Sequence, residues 1–469
     1  MASPSAADED RPSAKSATAP DGPALLRTMG LFSLIVYGVG DMIGSGIYGT
    51  VGKAAATLGN AVWLGFLVAM VAAVLTGLSY ACLASRYPRA AGAAFVTHHA
   101  YGFAYLSYLI GLTVTASGLT SMATSTNVFT NTLQSIVGGP WIVLALGFLG
   151  FMTAVNFWGL KESMWTNLLC TSVEIGGLLL IVAVGLPYWG SVDYFQTARA
   201  TFDAQDQVVD HGLTMSMLLA GSVLTFFSFI GFEDMLNVAE EVKEPERTMP
   251  WGIVGALAVA TVLYISVAVT AVSVVDFREL AKAPAPLSAI TAVAAPWLPP
   301  RAFDFITLFA VANTVLINYI MGSRMLYGMA RQGLLPAVLG RVHAERRTPH
   351  IAIFTLLVLV TGLALSGGVA DLASATGLLL LFSFTVVNSA LVVLKFRASE
   401  PHGNFEVPVW VPMLGILVNV TLIFTRIATG EGGLRAPLIA GLIVLAATIL
   451  YFILRPTNLT DESLATLEE

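Results

Sequence analysis

Long runs of apolar residues, each about the length needed to cross a bilayer, recur along the whole chain. A hydrocarbon core about 30 Å thick is crossed by a helix of about 20 predominantly apolar residues. This measure predicts twelve membrane spans, near residues 29–53, 61–85, 94–126, 138–156, 166–188, 213–238, 250–275, 303–330, 352–368, 372–395, 408–427 and 435–454. The third stretch is too long for one crossing, so we expect its first ten residues to lie in the membrane interface.

The composition agrees with this pattern and excludes an ordinary water-soluble protein. Hydrophobic residues make up 56% of the 469 residues and charged residues only 11%, whereas soluble domains carry roughly 25% charged residues. The two cysteines, Cys82 and Cys170, lie inside apolar runs and predict no disulfide framework. Residues 28–455, between the two terminal tails, carry a net charge of only −1, which argues against the concentrated basic face that nucleic-acid binding requires. The sequence therefore predicts an all-α integral membrane protein.

The basic residues predict the orientation of the spans. With the N-terminus in the cytoplasm, sixteen of the 23 Lys and Arg residues fall on the cytoplasmic side and seven outside. Cytoplasmic loops carry an excess of such residues, so we expect a multi-pass protein of the cell membrane with both termini in the cytoplasm. Residues 1–27 have no apolar signal stretch and predict a disordered cytoplasmic tail, and residues 456–469 predict an acidic one.

Two spans carry features that interrupt a helix. The first reads LFSLIVYGVGDMIGSGIYGTVGKAA and holds six glycines, each of which lowers helix stability by about 1 kcal/mol relative to Ala. The sixth reads SVLTFFSFIGFEDMLNVAEE, where Gly231 precedes Glu233 and Asp234. Unwound backbone at membrane depth is tolerated only in a protein interior or beside a cavity. Spans one and six hold the same position in two five-helix halves, a pattern typical of a transporter's binding site.

Two simpler interpretations of the first span are a helix-packing face and a dinucleotide site. Gly40 and Gly44 fit the small-xxx-small pattern of a tight helix-packing face. Residues 44–49 match the G-x-G-x-x-G dinucleotide pattern, but they interrupt a membrane span instead of following a strand, so we reject a dinucleotide site.

The two interruptions expose complementary backbone groups. The half-helix after the first break presents unpaired N–H groups around Ser45 and Ile47 at the positive end of its dipole, which suits a carboxylate. The second break exposes carbonyls near Phe227, Ser228 and Ile230, which suit an ammonium group. Together they predict a site for the backbone of an α-amino acid.

Six ordered motifs give the chain a resemblance to a known family. They are GVGDMIGSGIYGTVGKAA, residues 78–81, residues 87–93, residues 159–163, FIGFEDMLNVAEEVKEPERTMP and SRMLYGMARQGLLPAVLGRVHAERRTPH. Over about residues 28–415 the chain resembles the amino acid–polyamine–organocation superfamily, in particular bacterial permeases akin to cationic amino acid transporters.

The resemblance implies a fold and a set of site residues. The fold is a 5+5 inverted repeat of the leucine-transporter type, with 28–188 and 213–397 as the repeats, discontinuous helices 1 and 6, and two further helices within 405–455. The family's carboxylate-binding stretch falls on Ile43, Gly44, Ser45 and Gly46. Its amine-binding carbonyls fall on Phe227, Ser228 and Ile230, and its aromatic gate over the substrate falls on Phe232.

One position departs from the family pattern. Many relatives carry a lysine in the fifth span where sodium-driven members of the fold bind their ion, and Glu174 stands there in this chain. Inserting a charged carboxylate into an apolar helix costs about 2.5–3.5 kcal/mol, so Glu174 is a candidate proton-coupling site. The alternative is a structural carboxylate hydrogen-bonded to nearby Ser, Thr or Asn side chains or paired with a base. Asp41, one turn before Ser45, is the second coupling candidate, and either Glu233 or Asp234 could pair with a half-helix or face a basic substrate.

These observations favour a secondary amino-acid permease that works by alternating access, with protons as the coupling ion and without a cofactor. The alternatives are an amino-acid exchanger, a polyamine or organocation carrier, and a non-transporting amino-acid sensor. A membrane-embedded enzyme is disfavoured because H-E-x-x-H and G-x-S-x-G motifs are missing from the sequence.

Overall fold

Helices form most of the chain in the computed structural model. The model describes residues 25–90, 92–199, 201–202, 208–209, 212–283, 285–299, 301–366, 369–398, 400–429 and 435–454. Within these ranges the α-helices are α1 (Leu31–Leu58), α2 (Val62–Arg86), α3 (Gly92–Tyr101), α4 (Ala104–Val137), α5 (Trp141–Trp158), α6 (Leu160–Gly185), α7 (Met215–Phe226), α8 (Pro245–Val274), α9 (Phe277–Lys282), α10 (Pro286–Ala294), α11 (Ala302–Arg331), α12 (His350–Ser366), α13 (Val369–Lys395), α14 (Trp410–Thr429) and α15 (Arg435–Leu454). The predicted acidic tail and all but three residues of the predicted N-terminal tail lie outside the described residues.

Short elements connect these helices. The 3-10 helices are Gly59–Ala61, Leu186–Tyr188, Phe227–Phe229, Phe232–Glu241 and Ala337–Gly340. Between α6 and α7, the two-residue strands Thr201–Phe202 and Val208–Val209 pair antiparallel. Among the described residues, every regular element longer than two residues is therefore a helix.

Eleven helical segments of the described chain are long and apolar enough to cross a membrane. The ninth predicted stretch corresponds to α12, which is shorter, with 17 residues. At about 1.5 Å per residue, such a helix lies at the lower limit of length for a bilayer span. The third predicted stretch divides into a separate helix of 10 residues, α3, and the 34-residue α4. The chain is thus a multi-pass membrane protein.

Among the spanning helices of the described chain, α11 is the most buried. It packs against α1, α4 and α6. Of its most apolar 18-residue stretch, 78% is buried, compared with 11% for Pro437–Leu454 of α15. The helices α14 and α15 both pack on α13. The interior of the described chain therefore centres on α11.

The backbone departs from α-helical geometry in the two segments that the sequence singled out. In α1, Gly44 has φ −24° and ψ −125°. After α7 ends at Phe226, a 3-10 turn leads to Gly231, whose φ of 129° is one that L side chains rarely adopt. The chain then continues for 10 residues as the 3-10 helix Phe232–Glu241, although such helices rarely exceed four residues and often mark a functional hinge.

The start of α1 is tied to the end of the Phe232–Glu241 segment. The backbone N–H groups of Thr28 and Met29 donate to the Glu241 carbonyl at 2.9 and 3.0 Å, and the Lys243 N–H donates to the Met29 carbonyl at 2.8 Å. The Glu241 carboxylate also accepts from the buried Arg324 guanidinium of α11, at 2.9 Å from Nε. These contacts hold α1, the Phe232–Glu241 segment and α11 together at this end of the molecule.

An ion-pair cluster at this end of the molecule joins the C-terminal end of α2 to the connection between α13 and α14. Arg86 donates to both Glu406 carboxylate oxygens, at 2.7 and 2.8 Å, and Lys395 donates to the same carboxylate. Partial burial alone would raise the pKa of Glu406, but the hydrogen bonds from Arg86 and Lys395 outweigh it and lower the pKa to about 2. The charged form of Glu406 therefore stabilises the folded state.

Replacing Glu406 by Gln is expected to lower the thermal unfolding temperature at pH 7. Because the folded-state pKa lies below the ordinary value of 4.5, the ion pairs stabilise the protein fully above that value and lose their effect as the pH falls towards 2. The difference in Tm between parent and Glu406→Gln should accordingly narrow below pH 4.5, as measured in detergent from pH 7 downwards. The exposed Glu345→Gln serves as the control. A Tm difference that is as large at pH 3 as at pH 7 would contradict this role for the carboxylate.

Candidate functional site

A cavity of about 310 Å³ lies where α1 near Gly44 meets residues 227–234. Because neither stretch is regularly α-helical, we call them the two non-helical segments. Residues of α1, α4, α11 and α13 and of the 227–234 segment line it. Four of the residues predicted from the sequence are in this lining: Asp41, Gly46, Phe227 and Ile230. The cavity is of the size that small organic ligands occupy in proteins.

The two non-helical segments approach each other backbone to backbone beside this cavity. A Cβ added at Gly46 would lie 2.9 Å from the Ser228 Cα, and one added at Gly231 would lie 3.0 Å from the main-chain carbonyl carbon of Asp41. The Thr50 hydroxyl bridges them, since its Oγ1 donates to the Gly46 carbonyl at 2.9 Å and lies 2.7 Å from the Ser228 Oγ. Only glycine allows this separation at positions 46 and 231.

Tyr264 of α8 is a second bridge, and sequence reasoning missed it. Its hydroxyl lies 2.6 Å from the Met42 carbonyl and 2.7 Å from the Ser228 carbonyl, and the side chain is fully buried. The hydroxyl has a single hydrogen to share between these two acceptors. The feature of the sequence that could have identified Tyr264 is a lone tyrosine in a largely apolar span. A buried tyrosine hydroxyl usually requires a hydrogen-bond partner.

Ile43, Gly44 and Ser228 of the predicted carboxylate and amine clamps are not among the described residues that line the cavity. Ile43 and Ser228 are completely buried. Gly44 packs on α11, where an added Cβ would lie 2.2 Å from the Thr314 hydroxyl oxygen. The Ser45 side chain lies outside the described part of the chain.

Phe232, the predicted aromatic gate, lies in an aromatic cluster next to the cavity. Its ring meets Tyr80 edge-on, with centroids 5.7 Å apart, and stacks on Phe384 at 5.5 Å. Phe232 is fully buried and is not in the cavity lining, whereas Phe227 is. A gating role for Phe232 stays a prediction.

Glu174 lies in a buried polar network between α6 and α11. Its Oε2 accepts from the Asn313 side-chain amide at 3.0 Å, and Asn313 is also within 2.9 Å of the Thr171 hydroxyl and the Asn167 amide. The Oε1 atom has no hydrogen-bond partner within the described residues. An added Cβ at Gly40 would lie only 2.2 Å from the Thr171 hydroxyl oxygen, so the network is in direct contact with α1. The network supplies the hydrogen-bond partners expected if Glu174 is a structural carboxylate. It also leaves one carboxylate oxygen that could carry a proton.

Three carboxylates from two segments line the cavity: Asp41, Glu233 and Asp234. Each is more than nine-tenths buried. Glu233 accepts from the Gly231 N–H at 2.8 Å, and the Asp41 Oδ2 has no hydrogen-bond partner in the described part of the chain. The lining also includes one base, the exposed Lys53. This arrangement favours positively charged groups in the cavity.

Histidine, cysteine and acidic side chains are not grouped for metal binding in the described ranges. The polar groups that line the described cavity are backbone groups, hydroxyls, carboxylates, the Asn318 amide and the Lys53 ammonium.

Comparison with known proteins identifies the family. The family described as amino acid permease matches residues 29–453. The methylthioribose transporter of Bacillus subtilis is 28% identical over 84% of this chain and 86% of its own length, and the branched-chain amino acid permease of the same species is 26% identical over 85% and 88%. The vacuolar cationic amino acid transporter 4 of Arabidopsis thaliana is 32% identical over 82% of this chain and 65% of its own length. These relatives are transporters and not enzymes, and the match spans nearly the whole chain. The chain belongs to the amino acid permease family of membrane transporters, within the superfamily that its motifs indicated.

Proposed function

We propose that this permease is a secondary active transporter that takes up an amino acid together with protons. The observation that carries the proposal is the direct backbone contact between the two non-helical segments at one cavity. Relatives named for branched-chain and for cationic amino acids support an amino-acid substrate, and one named for methylthioribose shows that the family also includes other substrates.

The substrate is held by its carboxylate and amine. The N–H groups that follow Gly44 bind the carboxylate, because the departure from helical φ/ψ at Gly44 makes them the start of a half-helix, and the first N–H groups of a helix have no helical acceptor and lie at its positive end. The carbonyls of Phe227 and Ile230 bind the amine at the cavity wall. The Ser228 carbonyl also accepts from Tyr264 and keeps a second lone pair for the amine.

The two halves of the transporter are inverted repeats, 28–188 and 213–397, and the two helices within 405–455 stand outside them. The backbone at Gly44 and the 3-10 turn before Gly231 support this assignment, because they place an interruption in the first span of each half. Such pairs of interrupted helices mark the substrate site of inverted-repeat transporters.

Glu174 carries the coupling proton. It is fully buried, has one carboxylate oxygen without a partner among the described residues, and belongs to a network in contact with α1. A movement of α1 would change the surroundings of this carboxylate. Asp41, in the cavity itself, is the second candidate.

A second candidate function is a polyamine or organocation carrier on the same fold. The three carboxylates of the cavity favour it, since a substrate without a carboxylate would need acidic groups for its amines. A diamine that competes with amino-acid uptake, or is itself transported, would support this alternative.

Uptake by the purified protein in proteoliposomes tests the proposal. Labelled branched-chain, small and basic amino acids are offered with and without an inward proton gradient, and diamines are added as competitors. Accumulation of an amino acid that depends on the gradient is the expected result. Binding without flux would indicate a sensor, and flux only against a counter-substrate would indicate an exchanger.

Cysteine labelling tests the proposed orientation, in which both termini face the cytoplasm. Arg199, before the strand pair, and Arg346, between α11 and α12, are exposed, and the native Cys82 and Cys170 are buried. We expect Arg199→Cys to react with an impermeant thiol reagent on intact cells and Arg346→Cys to react only after permeabilisation, because the bases concentrate on one side. The parent protein measures the background. The reverse labelling would overturn the orientation.

A further inference from the structure

A buried arginine of α14 contacts the substrate cavity through an aromatic ring. Arg426 is 8% exposed, and its guanidinium carbon lies over the Phe227 ring, 4.9 Å from the ring centroid. Arg426 lies in the last turn of α14, and burying a charged side chain is costly unless neighbouring groups interact with it. The amine-binding and coupling residues proposed above do not include Arg426.

Phe227 is held from a second direction by α13. An added Cβ at Gly377 would lie 2.2 Å from the Phe227 Cε1, so the edge of the ring presses against the glycine backbone. Both Phe227 and Gly377 line the cavity. The Phe227 ring therefore forms part of the cavity wall. The edge of the ring contacts α13, and its face lies under Arg426 of α14.

We propose that Arg426 is a positioning residue that fixes the Phe227 ring and so sets the width of the substrate cavity. A guanidinium over an aromatic face is attracted by the ring quadrupole, most strongly when both are removed from water. Phe227 directly follows the last residue of α7, where regular helix no longer fixes its side chain. The proposal rests on the cavity's being the substrate site, and it makes α14, outside the two repeats, a determinant of substrate selection.

Transport kinetics provide the first test. Arg426→Gln removes the cation while keeping a long polar side chain, and we expect KM to rise about fivefold while kcat stays within about twofold of the parent. Discrimination between small and large substrate side chains should weaken. Arg426→Lys keeps a charge without the planar guanidinium and should fall between the two. Phe424→Ala, on the same helix and 72% exposed, is the matched control and should leave both constants unchanged.

A double-mutant cycle separates positioning from a general structural role. In the Phe227→Leu background the ring is absent, so Arg426→Gln should change KM by less than about twofold. An equal effect in both backgrounds would overturn the proposal. So would a loss of kcat and of folded protein with unchanged KM.

A spectroscopic measurement decides the proposal even if the protein transports no amino acid. With 4-fluorophenylalanine incorporated at position 227, the fluorine NMR signal reports the surroundings of the ring. Arg426→Gln should shift or broaden this signal, and Phe424→Ala should not. An unchanged signal in Arg426→Gln would overturn the positioning role, whereas a changed signal without any amino-acid uptake would leave it standing and refute the proposed function.

Discussion

Gly46→Leu is expected to abolish transport while leaving expression and membrane insertion largely intact. The Cβ of any side chain at this position would lie 2.9 Å from the Ser228 Cα, a backbone atom that cannot rotate away. A leucine would also extend into the cavity that Gly46 lines. The measurement is uptake of labelled substrate in proteoliposomes, together with the amount of protein in the membrane and its Tm.

Gly147→Leu is the matched control for this experiment. Gly147 lies in the spanning helix α5, is exposed, and would place an added Cβ in open space. The control should transport like the parent, because the substituted side chain meets no neighbour. Calorimetric binding of substrate to Gly46→Leu with parental affinity would refute the placement of the site between the two segments.

Glu174→Gln is expected to lose uphill accumulation and most of the pH dependence of transport while keeping counterflow exchange. The substitution mimics the neutral carboxyl permanently and keeps an acceptor oxygen for the Asn313 amide, which donates to Glu174 at 3.0 Å. Uptake by the parent should rise as the external pH falls, and a protonophore should collapse its accumulation. In Glu174→Gln a proton no longer binds and leaves, so the gradient no longer drives the substrate.

The control for the coupling experiment is Glu162→Gln, an exposed glutamate of the same helix. It should retain accumulation and pH dependence. A Glu174→Gln protein that concentrates its substrate like the parent would make Glu174 a structural carboxylate. Asp41→Asn would then be the next variant to examine, because Asp41 lines the cavity with one carboxylate oxygen that has no partner within the described residues.

The helical architecture was predictable because the bilayer imposes a length on every apolar run. This rule located the helices, although it did not separate α3 from α4 or show that α12 has only 17 residues. Both depend on where a helix ends, which tertiary contacts decide as much as local sequence. The family assignment was also predictable, because the motifs are long and ordered, and the match to the amino acid permease family confirms it.

The composition of the cavity was only partly predictable. The glycines mark where backbone segments approach, since no other residue fits at Gly46 or Gly231. Tyr264 and Arg426 were missed because each acts across helices that are far apart in sequence. Which side chains of one helix meet another helix depends on how each helix is rotated and tilted. The hydrophobic pattern of an almost uniformly apolar helix does not encode this rotation or tilt.

The backbone pairing of Met29 with the region of Glu241 constrains how the permease would open at that end in the proposed alternating-access mechanism. Separating α1 from the Phe232–Glu241 segment would break three main-chain hydrogen bonds, each worth about 0.5–1.5 kcal/mol net. Swinging both segments outward together keeps these bonds but parts the Arg324–Glu241 ion pair. Mutations that weaken this ion pair should accordingly bias the resting population of the carrier towards the conformation open at that end.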